Sequence, residues 1–210
     1  MSFSNAPDNT LSLMSSTMGI SNYALDTFVA QEMSKLTQLS IDSLAEEFPN
    51  TDNWFAQFVL RRILQARVPD EKSALAFAII RRTHAALQEW EFAYAGAQGN
   101  LRSVGTYFSV LRHFESCISA VWQGLEFARK SLGQDLFKKG DGSVYERLNW
   151  VYNVSRHFDP HSLSQGDLHR VWLSDQAVHT REQTVNYDEL REAIRMLARV
   201  SEKVVGEHDG

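Results

Sequence analysis

The stretch SVYERLNWVYNVSRHFDPH, Ser143 to His161, carries its own helix start and its own helix stop. Ser143 and Glu146 stand in capping-box spacing: the serine oxygen accepts from the N–H three residues on, and the glutamate reaches back to the N–H of the cap. Pro160 disfavours a helical conformation at Asp159 and ends the run. Between these limits, at about 100° per residue, Val144, Leu148, Val151, Ser155 and Phe158 share one side. Glu146, Asn149, Asn153, Arg156 and His157 share the other. The spacing therefore predicts an amphipathic helix whose outer face holds the densest set of reactive side chains in the chain.

Composition bounds the rest. At 210 residues the chain suits one domain with a sizeable core, and 43% hydrophobic against 22% charged residues is a globular balance. The net charge of −5 gives no overall pull toward phosphate backbones, so a non-specific DNA coat is disfavoured and any nucleic-acid contact falls to a local basic patch. Cys117 is the single cysteine, which excludes an intramolecular disulfide and a cysteine-based zinc cage. The opening residues MSFSNAPDNTLSLMSS lack a basic segment followed by an apolar core, and no window reaches the ~18 apolar residues of a membrane helix. A cytoplasmic protein without membrane contact is expected.

Residues 1–20, rich in Ser, Asn and Met, read as a mobile N-terminal arm, residues 21–205 as one helical-bundle domain, and residues 206–210 as a frayed tail. From Asn22, apolar residues at Leu25, Phe28, Val29, Met33, Leu36 and Leu44 keep helical spacing as far as Phe48-Pro49, predicting one long first helix. Thr51-Asp52-Asn53 offers caps for a second, lined by Trp54, Phe55, Phe58, Val59 and Ile63 and ending before Pro69. Asp70 caps a third, Glu71 to Ala97, which is apolar over much of its circumference and hence central. A fourth, from about Thr106 to Leu132, pairs with it through a short turn, antiparallel. After Pro160, Arg170-Val171-Trp172-Leu173 and Thr184-Val185 around a Ser174-Asp175-Gln176 turn predict a small hairpin. Asn186 and Glu189 then open a last helix along Leu190, Ile194, Leu197, Val200 and Val204. The expected fold is all-α: a bundle of five or six helices with a small β-hairpin before the last.

No Gly-x-Ser-x-Gly, Walker loop, Gly-x-Gly-x-x-Gly or His-Glu-x-x-His motif occurs, and no Glu-x-x-His pairs suit a di-iron bundle. No cofactor and no metal are expected. Of the seven histidines, His84 falls in line with the core positions Ile80 and Leu87, His113 beside Arg112 and Glu115 reads as a solvated face, and His169 and His179 flank the hairpin as exposed residues. His208 lies in the tail. His157 and His161 remain, and Pro160 breaks the helical geometry that would let the two share a metal.

Arg156-His157-Phe158-Asp159-Pro160-His161 is the more informative group. Metal-independent RNA cleavage needs an imidazole that titrates near neutrality to move the 2′-hydroxyl proton, and a guanidinium to hold the phosphate bidentately. Asn153, one turn before His157, can orient the imidazole or bond the phosphate, with Asn149 a further turn back on the same face. The same residues also suit an ordinary solvated helix face, and spacing alone does not separate the two.

At these residues the chain resembles the HEPN superfamily, helical bundles of toxin–antitoxin, abortive-infection and other defence proteins. The likeness rests on Arg156, a polar residue after it, and His161 in Arg-x(4 to 6)-His spacing, beside the Tyr152-Asn153-x-x-Arg156-His157-x-Asp159 run. The resemblance implies phosphate binding at Arg156, the polar position at His157, acid–base work at His161, and two protomers paired so that both motifs line one cleft. His157 can stand in as proton carrier. RNA, a protein partner or antitoxin, and a second copy of the chain are the implied partners. A non-catalytic interaction module is the alternative function, and a small-ligand sensor with an aromatic pocket is the third. Arg61-Arg62, Arg81-Arg82 and Lys138-Lys139 form an RNA-facing patch if the fold gathers them, and read as solvated flanks if it does not. The aromatics, 11% of the chain with five tryptophans among them, suit a ligand pocket or base stacking, and their helical spacing makes most of them core.

Overall fold

The computed structural model describes residues 20–65, 70–133, 135–157 and 170–206. The fold is mostly helical: α1 (Asn22–Phe28), α2 (Trp54–Leu64), α3 (Glu71–Ala97), α4 (Val104–Leu132), α5 (Val144–Arg156) and α6 (Tyr187–Gly206), with β1 (Trp172–Leu173), β2 (Ala177–His179) and β3 (Thr184–Asn186) before the last helix. The arm predicted over residues 1–20 falls, up to residue 19, outside the described residues, as does the tail from residue 207.

The long helices α3 and α4 form the centre. Contacts of Gly96 with Val110, Trp90 with Phe114 and Ala86 with Cys117 run in opposite order along the two helices, so the pair is antiparallel, as the short connection required. Asp70 caps α3 by accepting from the Ser73 N–H at 2.7 Å. Helix α6 lies across both partners. A Cβ on Gly124 would stand 2.9 Å from Leu197, so glycine is what permits α4 and α6 to approach this closely. Facing it, Ser201 donates to Thr83 at 2.9 Å and Thr83 to the Ile79 carbonyl at 2.9 Å, which satisfies the two buried hydroxyls of this contact.

Three aromatic rings join these helices. Phe114 meets Trp90 edge-on at 5.9 Å and stacks on Tyr187 at 4.8 Å. Each outer ring then uses its polar atom elsewhere: Trp90 Nε1 donates to the Asp42 carbonyl at 2.8 Å, and the Tyr187 hydroxyl to the Ser174 carbonyl at 2.9 Å.

Asp42 belongs to a segment predicted to be helical, and here the structure differs. The first helix stops at Phe28, and after one 3₁₀ turn at Met33–Lys35 the chain runs as an irregular strap toward α2. Asp26 causes the turn by accepting from both the N–H and the hydroxyl of Ser34, at 2.7 and 2.6 Å, while Glu32 takes a left-handed conformation at φ 59°. Leu36, Leu39, Ile41, Leu44 and Phe48 are buried all the same. The strap's polar groups go to the bundle: Glu91 accepts from Ser43 Oγ and the Leu44 N–H, Arg191 pairs with Asp42 at 2.9 Å, and Arg195 pairs with Glu47. Hydrogen bonding to Arg195 holds the Glu47 carboxyl below its ordinary range.

The predicted hairpin is a three-stranded antiparallel meander in order β1-β2-β3. Val178 pairs with Leu173 on one side and Val185 on the other, so the missed strand is the central one. Its short Ala-Val-His run alternates too little to be read in advance. The Tyr107 hydroxyl accepts from the Leu173 N–H at 2.9 Å, and the Ser40 N–H reaches the Asp175 carbonyl, so the meander is tied to both α4 and the strap. Thr51–Asn53 forms a 3₁₀ turn, and neither Asn50 before it nor Asn53 before α2 caps with its side chain, while Asp52 meets His84 at 3.2 Å. No helix among the described residues is long and apolar enough to cross a membrane.

Two stability effects follow from these contacts. Glu91→Ala leaves the Leu44 N–H without its acceptor, at a cost of about 1–3 kcal/mol, and in a thermal melt the midpoint falls by roughly 3–10 °C. Burial pushes the Glu115 carboxyl up to about 7 from 4.5, so the folded state holds its proton where the unfolded state has lost it. The stability this group contributes is full below pH 4.5 and is lost as pH rises to 7; denaturant titrations from pH 4.5 to 8 show a shallower decline in Glu115→Gln.

Candidate functional site

Helix α5 begins as expected and for a partly different reason. The Ser143 hydroxyl accepts from the Glu146 N–H at 3.2 Å, but Glu146 does not reach back to the cap: its carboxylate takes the N–H groups of Gly140 and Gly142. The Ser143 N–H goes instead to Asp141 at 2.8 Å. Positive φ at Gly140 and Gly142, 82° and 68°, folds the loop tightly enough for one carboxylate to collect both donors. Arg147 bonds Glu189, which fixes α5 to α6, and Glu189 also accepts from the Asn186 N–H at 3.1 Å, as the last helix's cap required.

Leu148 and Val151 are fully buried, and Tyr152 leans on Trp122 of α4 at 6.3 Å. That anchorage turns the opposite face outward. Along it Asn153 donates to Asn149 at 3.0 Å, and Asn153, Arg156 and His157 are exposed. The Arg156 guanidinium lies 5.4 Å from the Tyr152 ring centre and donates to its hydroxyl at 3.3 Å, which keeps the cation near the helix end. His157 is already extended, φ −110° and ψ 101°, so the helix ends at Arg156, ahead of the Pro160 stop.

The structure adds Arg170. Its Nη1 donates to the His157 carbonyl at 3.3 Å, which brings a second guanidinium to the C-terminal end of α5. Arg170 was read in sequence only as the head of a β-prone run. A contact of this range leaves no periodic trace, so nothing local distinguishes it. Trp150, 42% exposed, points its Nε1 toward Glu182 at 3.4 Å, which sets the β2–β3 turn against the same helix. No carboxylate pairs with Arg156, His157 or Arg170 among the described residues. His161, with Phe158, Asp159 and Pro160, lies outside the described residues, as do His169 and His208.

The remaining histidines are structural. His84 is half-buried beside Asp52 and edge-on to Phe55. His113, expected on a solvated face, bonds Glu89 across the α3–α4 seam at 2.7 Å and is largely covered. His179, expected to be exposed, is half-buried: it stacks on Trp172, and its two ring nitrogens meet Thr184 at 2.9 Å and Ser174 at 2.8 Å. Burial holds its imidazole below the usual histidine range, which favours the neutral form. No group of three or more His, Cys, Asp or Glu residues is placed to share a metal ion among the described residues. The paired cations are dispersed. Arg61 and Arg62 line an open cleft of about 680 Å³ with Asp70, Lys72 and Lys130, and neither Arg81-Arg82 nor Lys138-Lys139 takes part in it.

The α5 end therefore offers two guanidinia for an anion, one exposed imidazole for proton transfer and an amide pair for orientation. Comparison with protein-family models, with curated proteins and with solved structures finds no match.

Because Arg156 and His157 are exposed, Arg156→Ala and His157→Ala each change stability by less than about 0.5 kcal/mol, whereas Leu148→Ala costs about 2–5 kcal/mol. Urea denaturation of the three variants checks this separation of surface from core.

Proposed function

We propose that the chain is a HEPN-like helical module that acts on RNA as a metal-independent endoribonuclease of a defence or toxin–antitoxin type. The observation that carries this reading is the end of α5, where Arg156 and His157 stand in solvent and Arg170 closes on the His157 backbone. Guanidinia that no carboxylate among the described residues pairs with, at a helix end with an exposed imidazole, suit a phosphodiester.

In the reaction the His157 imidazole accepts the 2′-hydroxyl proton. The 2′-oxygen then attacks phosphorus, and the bond to the 5′-oxygen breaks as a 2′,3′-cyclic phosphate forms. Arg156 and Arg170 hold the non-bridging oxygens while charge builds on them. The 5′-oxygen leaves with a proton, which the resemblance assigns to His161. Asn153 and Asn149 orient the substrate.

The full chain, incubated with end-labelled single-stranded RNA in EDTA, is expected to yield fragments with 2′,3′-cyclic phosphate and 5′-hydroxyl ends. His157→Ala and Arg156→Ala each lower the rate about 100-fold or more, and Arg170→Ala lowers it through weaker RNA binding. RNA retained without turnover, with retention lost in Arg156→Ala, replaces the nuclease by a non-catalytic docking module. Absence of both cleavage and binding overturns the reading.

A further inference from the structure

Four of the five tryptophans are committed to packing. Trp54, Trp90 and Trp122 are buried, and Trp172 is half-buried with the His179 ring stacked on it. Trp150 is the exception, 42% exposed on α5. Asn153, three residues on, and His157, four beyond that, continue its exposed stripe. The Nε1 edge of the indole is directed to Glu182 at 3.4 Å, which orients the ring without covering it. The stripe is graded along its length: Arg156 and Arg170 bring guanidinia to its C-terminal end, the Asn149–Asn153 amide pair holds the middle, and the indole stands at the other end, away from the cations.

We propose that Trp150 stacks an unpaired nucleobase of the strand whose phosphate rests at the end of α5, and so selects single-stranded substrates. This rests on the nuclease reading and adds the contact that discriminates between strands. The lengths agree. Trp150 and His157 are seven residues apart, about 10 Å along a helix at 1.5 Å per residue. A strand advances about 3.4 Å per stacked nucleotide, which puts the stacked base two or three nucleotides from the cleaved bond. The chemistry agrees as well: a base is uncharged and is not repelled by Glu182, whereas the phosphate needs the cations of the opposite end. Every base has a π-face, so the contact tolerates sequence but excludes a duplex, whose faces are hidden.

The other aromatic residues of α5 are already engaged. Tyr145 donates to Met196 Sδ at 3.4 Å, and the Tyr152 ring lies between Trp122 and the Arg156 guanidinium. Trp150 is therefore the ring that this helix can offer to a base. Its share of the binding is dispersion and desolvation, which salt leaves almost untouched, whereas the share of Arg156 is counterion release, which salt suppresses. The two contributions separate in one titration.

The test is binding of the full chain to a short 2′-O-methyl RNA, which has no 2′-hydroxyl with which to react, followed by anisotropy at several salt concentrations. Trp150→Ala is expected to weaken binding about ten-fold or more, by the same factor at every salt concentration, whereas Arg156→Ala lowers the salt slope by about one. At one position an abasic nucleotide should bring the native chain and Trp150→Ala to equal affinity. A duplex of the same sequence should not compete. RNA should also quench indole emission in the native chain and fail to do so in Trp150→Phe, a readout that does not depend on the folding of the alanine variant. RNA binding that Trp150→Ala leaves unchanged, a quench that Trp150→Phe retains, or a loss that no abasic position equalises overturns the proposal and leaves the nuclease reading standing. A native chain that neither binds nor cleaves RNA overturns both.

Discussion

The packing of Phe114 between Trp90, edge-on, and Tyr187, face to face, is the constraint on which the other parts of the molecule depend. Its rings come from α4, α3 and α6, so it fixes how the three longest helices lie together. Its two polar atoms hold the strap through Asp42 and the meander through Ser174. Burial of this kind joins packing to hydrogen bonding: a ring that shifted to improve one contact would break the other. The nearby Tyr107 hydroxyl, accepting from Leu173, binds the sheet to the same centre.

From that centre the placement of the candidate site follows in a short chain of causes. Helix α4 presents Trp122, against which Tyr152 packs, and Leu148 and Val151 complete the seal. With one side of α5 committed, Asn153 and Arg156 are left exposed on the other, beside the half-buried Asn149. Arg170, just ahead of β1, donates to the His157 carbonyl at the end of the helix. The site is therefore a by-product of core packing in its helical half and of long-range closure in the other.

The same division explains what could be read in the sequence. Helices α3 to α6 were legible because apolar periodicity, Asp70, Ser143 and the Asn186–Glu189 pair all act within a few residues. Residues 29–48 misled because Met33, Leu36 and Leu44 are spaced as if on a helix while their burial is enforced from outside, by Glu91, Trp90 and Arg191. Periodicity reports which residues are buried, not what buries them. The outward residues of α5 were legible for the same local reason, whereas Arg170, the Glu89 bond of His113 and the covering of His179 depend on neighbours far away in sequence.

The bond from the Ser40 N–H to the Asp175 carbonyl has a kinetic meaning. It joins the strap, which is made early, to a turn made near the end of the chain, and the entropy of closing so long a loop must be met before the contact stabilises anything. Pairing of α3 with α4 is local by comparison and can precede it. The strap's tie to the meander is thus a late addition to the folding route, whereas its contacts with Trp90 and Glu91 become available as soon as α3 has been made, so the strap is seated in two stages.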